Sequence, residues 1–477
     1  MRRPRVFVLG LDCLEPSLAF DRFRADMPNL GRIAQGCWGR LESVCPPITC
    51  PAWMCGFTGR DPGQLGVYGF RNRSGWNYGP LELTFSDGIP ADTAPAVWDL
   101  AGAAGLHSTI IGVPPGFPPR TVRGEFVGCF MTPGTDSAFA SPSDLRQEVL
   151  ALVGDYGFDV ENARSDDHAR VLTEIQTMTR QRWRLAAHLL ETRDPDLFAL
   201  VEIGTDRAHH AFWHFMDPEH VLHVPASPFA TAIHDYYRQV DAHLGELLRF
   251  VDDETLVICL SDHGARRMDG GFHLNAWLRQ AGYLCLRAGA GPGRLRPTDI
   301  DWSRTRAWGD GGYYGRIFLN VAGREPEGIV PPGEVESLRA ELAARLEAEP
   351  LPWGAPDARN RVFFPERVYR EVRGFAPDLI LYPGDLYWRA LASLPEDPDQ
   401  IYSRENDTGP DGANHAPFGC FAAILGRDLR AGRGPGREVS GLRLPDLAPT
   451  ICAHLGLPVP EGIVGRAISP GLWGGGE

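Results

Sequence analysis

Several short segments of this 477-residue chain carry groups that bind cations or attack phosphorus. In Gly204-Thr205-Asp206-Arg207-Ala208-His209-His210, the Asp206 carboxylate and the His210 imidazole are four residues apart. On a helix that spacing puts both on one face, where they can grip one cation. His214 continues the spacing as a rival ligand, and His209 projects elsewhere. Read alone, the pair is also compatible with a carboxylate at a helix start and a surface histidine. Asp262-His263-Gly264 follows an apolar run, and its glycine permits the irregular turn from which adjacent side chains can converge. Asp12 ends the first apolar run, and His415 stands in a loop-like stretch, residues 412–419. Each of these could equally be a polar turn, a cap or a solvated side chain.

Pro46-Pro47-Ile48-Thr49-Cys50-Pro51-Ala52-Trp53 reads as the opening of a helix, with Thr49 near its start and Pro51 in its first turn. Thr49 could simply cap that helix. The same position offers free N–H groups and the positive end of a helix dipole to a phosphoryl group. A hydroxyl there can attack phosphorus if a cation stabilises its alkoxide. Cys50 is the rival nucleophile, with no histidine paired to it in the sequence.

The elements that must position these groups read as strands alternating with helices. Residues 6–11 form a continuous apolar run ending at Asp12, the pattern of a buried parallel strand. Similar runs occupy residues 108–113, 197–203, 255–260, 378–382 and 421–425. Helical patterns cover 176–191, 234–250 and 334–347. This alternation predicts an α/β fold with a mostly parallel central sheet flanked by helices. In such sheets ligands bind beyond the carboxyl ends of the strands, where Asp12, Asp206 and the Asp262–His263 pair fall. Residues 287–407, rich in Gly, Pro and Arg, read as an inserted, cap-like region. The core is then residues 1–286 and 408–477, and the glycines at 474–476 read as a frayed tail.

Bulk properties narrow the functional classes. A net charge of −14 and no long basic run argue against a nucleic-acid polymer as partner. The ten cysteines form no C-x-x-C pair, which argues against a thiolate zinc site and for a reducing, cytoplasmic setting. The first apolar run is too short for a signal peptide, and no stretch reaches the roughly 18–20 residues that span a membrane. Oxygen and imidazole donors without thiolates suit zinc, with manganese or iron as alternatives.

Taken in order along the chain, the motifs resemble those of the alkaline phosphatase superfamily. They are GLD at 10–12, MPNL at 27–30, PPITCPAW at 46–53, TGRDPGQLGVYGF at 58–70, Asp206 with His210, SDHG at 261–264, His415, and DLAPTICAHLGLPVPEGIVGR at 446–466. The pattern is similar to that of the type I phosphodiesterase/nucleotide pyrophosphatase group and its bacterial relatives described as predicted phosphohydrolases or phosphomutases. The segments at 112–119, 273–284 and 315–330 look like those relatives. The resemblance implies an alkaline phosphatase-like fold and two divalent metal ions. One would be held by Asp206, His210 and His415, the other by Asp12, Asp262 and His263, with Thr49 as a further oxygen ligand and as the nucleophile. A phosphothreonine intermediate and a small phosphate ester as substrate follow from it, most simply a phosphodiester or a nucleotide pyrophosphate. A phosphomonoesterase, a phosphomutase and a non-catalytic, metal-stabilised binding protein are the alternatives. Two departures are His209 where relatives often have glycine, and Leu65-Gly66 where they often have His-Gly. Neither removes an expected ligand. The arginine of the formylglycine motif C-x-P-x-R is missing after Cys45, which argues against a sulfatase.

Overall fold

The computed structural model of the chain describes residues 5–88, 93–432 and 434–473. The glycine tail lies outside the described residues.

Nine strands form the central sheet: β1 (Arg5–Leu11), β2 (Cys37–Glu42), β3 (Ser108–Ile111), β4 (Gly124–Val127), β5 (Ala140–Ser141), β6 (Leu197–Glu202), β7 (Thr255–Leu260), β8 (Phe418–Leu425) and β9 (Arg437–Arg443). Their spatial order is β9-β2-β8-β7-β1-β6-β3-β4-β5. Within it β7, β1, β6, β3 and β4 run parallel, while β8 runs antiparallel to both of its neighbours. The expected α/β class with a mostly parallel sheet is therefore what the chain adopts.

The apolar runs become strands because both faces of the sheet are covered. In β1, Phe7, Leu9 and Leu11 join one buried cluster, and Val6 and Val8 join another on the opposite face. A strand buried on both sides has no polar face to alternate, so it reads as a continuous hydrophobic run. On the first face lie helices α2 (His168–Thr192), α3 (Gly204–Met216) and α4 (Ala232–Leu248), supplying Trp183, Leu189, Phe212 and Leu244. On the other lies α1 (Thr49–Thr58), with Trp53 and Phe57, together with the helix Leu447–Leu455. Helix α2 starts well before the expected residue 176. The Asp167 side chain accepts a hydrogen bond from Arg170 N at 3.2 Å and so fixes that start.

One expectation fails in detail. The run at 378–382 is not a parallel strand of the main sheet. Leu379–Tyr382 sits in a separate four-stranded antiparallel sheet with Ala307–Asp310, Gly315–Leu319 and Arg361–Phe363. Leu379 and Leu381 pack with Leu338 and Leu342, while Ile380 and Tyr382 pack with Ile48 and Tyr68. Burial on both faces produced the same sequence signature in a different sheet. The helix anticipated at 334–347 is Val335–Ala348 and covers one face of this small sheet. Among the described residues, no helix is long and apolar enough to cross a membrane.

Candidate active site

Three adjacent strands of the sheet, β7, β1 and β6, run parallel and deliver acidic groups at their carboxyl ends. Asp12 follows β1 directly, and its N–H donates to Glu202 O at 3.0 Å, which locks the exit of β1 to the end of β6. Asp206 lies in the first turn of α3, which begins two residues beyond β6. Asp262 and His263 follow β7 and lead into the short strand Gly264–Arg267. That strand pairs antiparallel with Ala413–Ala416, with Ala265 opposite His415. His415 is thus a strand residue rather than the loop residue its sequence suggested. The pairing brings its ring to 3.8 Å from the ring of His263, nearly parallel to it.

The side chains converge into two clusters whose ligand atoms lie within 4.8 Å of one another: Asp206, His210 and His415, and Asp12, Asp206 and His263. Asp206 belongs to both. Its Oδ1 is 3.1 Å from His210 Nε2 and 3.6 Å from His415 Nε2. Asp262 Oδ2 is 3.2 Å from His263 Nε2, although Asp262 belongs to neither cluster. All six side chains are buried. His214 takes no part, and His209 is sequestered against the Tyr237 hydroxyl at 3.0 Å, so the helical offset of four selects His210.

Thr49 is the first residue of α1, and Ile48 occupies the cap position without a side-chain hydrogen bond. The hydroxyl therefore does not cap the helix. It faces the cluster, with Oγ1 3.3 Å from His263 Nε2. Cys50 points away and makes its contact with Met131 Sδ at 3.3 Å. Burial pushes the Cys50 thiol well up, which makes it a poor nucleophile. The same helix supports the ligands from behind. Trp53 Nε1 donates to Asp12 Oδ2 at 2.8 Å. Gly10 lets the indole lie flat on β1, because a Cβ there would sit 2.5 Å from Trp53 Cη2.

The electrostatics are those of a site short of positive charge. Burial, reinforced by Asp206, raises the Asp12 carboxyl well above its usual range, and burial with Asp12 does the same to Asp262. Burial opposes ionisation of Asp206 too, but His210, the His415 hydrogen bond and Arg207 hold it well below the usual range. Burial and the neighbouring His415 keep His263 neutral. Asp12 Oδ1 and Asp262 Oδ2 are buried acceptors without a hydrogen-bond partner. Orphaned carboxylate oxygens beside neutral imidazole nitrogens are the donor set a divalent cation takes. The residues therefore fit metal binding.

Two further groups, Asp411 and Arg207, shape the site. Asp411 accepts from His210 Nδ1 at 2.8 Å, fixing which imidazole nitrogen faces the cluster. His415 Nδ1 is held in the same way by Pro47 O at 2.8 Å. Asp411 sits in a Pro-Asp-Gly turn, so its sequence signal was indistinguishable from turn chemistry. Arg207 is clamped by both oxygens of Asp159, at 2.7 and 2.8 Å, and reaches Asp206 Oδ2 at 2.5 Å. Above these lies a cavity of about 900 Å³ lined by Thr49, Phe70, Phe130, Arg207, Tyr313 and Arg316, among others. Tyr313 stacks on the His415 ring at 4.1 Å. The adjacent Tyr314 turns its hydroxyl to Tyr68 O.

A model of the type I phosphodiesterase / nucleotide pyrophosphatase family matches residues 6–411. The chain belongs to this family. Its members are phosphoryl-transfer hydrolases, and the matched span contains Asp12, Thr49, Asp206, His210, Asp262 and His263, with His415 just beyond it. Among solved structures, the phosphonoacetate hydrolase from Sinorhizobium meliloti 1021, crystallised with phosphonoformate, is similar over 96% of either chain, with a TM-score of 0.59. At 16% identity that likeness concerns the fold, which it shares with this family member. No curated protein matches the chain.

Proposed function

We propose that this chain hydrolyses phosphodiesters or nucleotide pyrophosphates through a phosphothreonine on Thr49. The observation that carries the reading is the Thr49 hydroxyl at an uncapped helix N-terminus, 3.3 Å from His263 Nε2 and beside two clusters of cation ligands. Asp206, His210 and His415 would hold one divalent cation, and Asp12, Asp262 and His263 the other, with Thr49 at hand as a further oxygen ligand. The nitrogen and oxygen donors favour zinc. When bound, the two ions supply positive charge for the attacking and leaving oxygens of an in-line displacement.

The chain's own groups do the rest. Thr49 Oγ1 gives up its proton to solvent water and bonds to phosphorus, and the leaving oxygen departs with the electron pair of the broken P–O bond and takes up a proton from water. Free N–H groups at the start of α1 stabilise negative charge on the non-bridging oxygens. Water then cleaves the bond between phosphorus and Thr49 Oγ1, which regenerates the hydroxyl and releases a phosphate monoester. Arg207 is committed to Asp159 and Asp206, so it is not free to take the extra charge of a monoester. The aromatic lining from Phe70, Phe130 and Tyr313 suits an organic substituent on phosphorus. The ten unpaired cysteines favour a reducing, cytoplasmic setting.

The test is side-by-side hydrolysis of bis-p-nitrophenyl phosphate and p-nitrophenyl phosphate by metal-stripped protein resupplied with zinc or manganese. The reading requires metal-restored activity that favours the diester and disappears in Thr49→Ala. Preference for the monoester moves the assignment to a phosphatase. No activity on either ester with metal bound moves it to a mutase, which turns over a substrate without freeing phosphate, or to a binding protein, which turns over no phosphate ester.

A further inference from the structure

The cavity continues past Tyr313. A second hollow of about 640 Å³ shares Gly311, Gly312, Arg389 and Thr408 with the first, so the two form one elongated cleft with Arg389 at the junction. The guanidinium carbons of Arg389 and Arg164 lie 5.0 and 5.7 Å from the centre of the Tyr313 ring. That ring also stacks on His415. One aromatic ring therefore separates the two arginines from the imidazole of a candidate metal ligand.

The arginines of the cleft are not equally compensated. Arg207 has both oxygens of Asp159 as well as Asp206, and Arg316 has Asp310. Arg164 and Arg389 share a single carboxylate oxygen, Asp411 Oδ2, at 2.9 and 3.4 Å. The other oxygen of Asp411 is occupied by His210. Asp407, the remaining acid that faces Arg389, is exposed and accepts from the Ser393 hydroxyl at 2.8 Å. Arg389 is only 6% exposed, and its Nε has no hydrogen-bond partner. Burial and the like charge of Arg164 both work against its protonated form. A buried, undercompensated guanidinium is costly unless an anion completes it, and its fork matches a carboxylate or phosphoryl group in two-point contact.

We propose that Arg389, assisted by Arg164, forms a subsite for a second anionic group of the substrate, a carboxylate or a phosphoryl group joined by a short linker to the phosphorus that Thr49 attacks. This rests on the reading of the Thr49 centre as the site of phosphoryl transfer. It narrows the substrate class from phosphate esters in general to those with a second negative charge at the far end.

Calorimetry on the zinc-loaded full chain tests the subsite without turnover. The ligands are 3-phosphonopropionate and propylphosphonate, which differ by one carboxylate. At least tenfold tighter binding of the carboxylated compound is expected. That ratio should fall to near one in Arg389→Ala, retain a part in Arg389→Lys, and shrink in Arg164→Ala, a half-buried position whose truncation leaves the core intact. Equal affinities for the wild type, or a ratio that survives both Arg389→Ala and Arg164→Ala, overturn the proposal. Ethane-1,2-diphosphonate as a third ligand decides which second group is preferred: tighter binding than 3-phosphonopropionate selects a phosphoryl group, weaker a carboxylate. Failure of the ratio while bis-p-nitrophenyl phosphate is still hydrolysed removes the subsite alone. An intact ratio without hydrolysis of any ester removes the hydrolase reading alone.

Discussion

Asp12, Asp206, Asp262 and His263 stand at the ends of three neighbouring strands of one sheet, within an unbroken core. Arg164, Arg389 and the neighbours Tyr313 and Arg316 reach the same cavity from three separate segments, and all but Arg164 come from the region of the small sheets. The floor is rigid because Asp12, Asp206 and Asp262 follow strands that are each hydrogen-bonded to a neighbour on both sides. The wall is held by ion pairs and ring contacts at its surface, such as Arg164 with Asp411 and Tyr313 with His415. Chemistry that must be placed to a fraction of an ångström is built on the floor. Selectivity is left to the wall, which can vary without disturbing the sheet.

That contrast can be broken or sharpened by experiment. Chelation should abolish ester hydrolysis and lower the melting temperature by several degrees. A ligand at a hundred times its Kd contributes about 2.7 kcal/mol, read by a melting curve with and without added zinc. A melting temperature that does not move would mean the floor does not need its ions. Thr49→Ala should cost roughly 10³-fold or more in kcat, by analogy with other removed nucleophiles, while elemental analysis finds the metal content unchanged. Asp411→Asn keeps the shape but weakens the hold on His210. A loss of about 10- to 100-fold in metal affinity is expected for such a supporting group, measured by competition with a chromogenic chelator. Phe130→Ala removes a wall ring that packs edge-on against Phe70 at 5.9 Å. It should raise KM by roughly 3- to 10-fold, about 1 kcal/mol of uniform binding, with kcat little changed. A fall in kcat instead would place Phe130 with the floor.

The two regions also differed in how much the sequence disclosed. Floor positions were legible because a buried parallel strand announces itself as an apolar run and its carboxyl end marks where a ligand must sit. Asp12, Asp262 and His263 follow such runs, and His210 follows Asp206 at a helical repeat. His415 was found through its motif, but its strand was not, because Ala413–Ala416 is short and pairs only with Gly264–Arg267. The arginines at the far end of the wall were not legible. Arg164 lies in a polar stretch and Arg389 in the largely apolar run 386–391, and their meaning arises only when distant segments meet at Tyr313 and Asp411. The run at 378–382 misled for a related reason, since burial on two faces does not say which sheet a strand joins.

The strand order has a consequence for synthesis. Strand β1 precedes both of its partners, β6 and β7, by about 190 and 250 residues. The last ligand, His415, follows after most of the remaining chain has emerged. A nascent chain therefore cannot assemble the candidate metal centre early, and one truncated before residue 415 lacks a side chain of the first cluster. The second cluster, Asp12, Asp206 and His263, is complete soon after β7 has been made, whereas the first waits for His415, so the two halves of the candidate metal centre are completed about 150 residues apart along the chain.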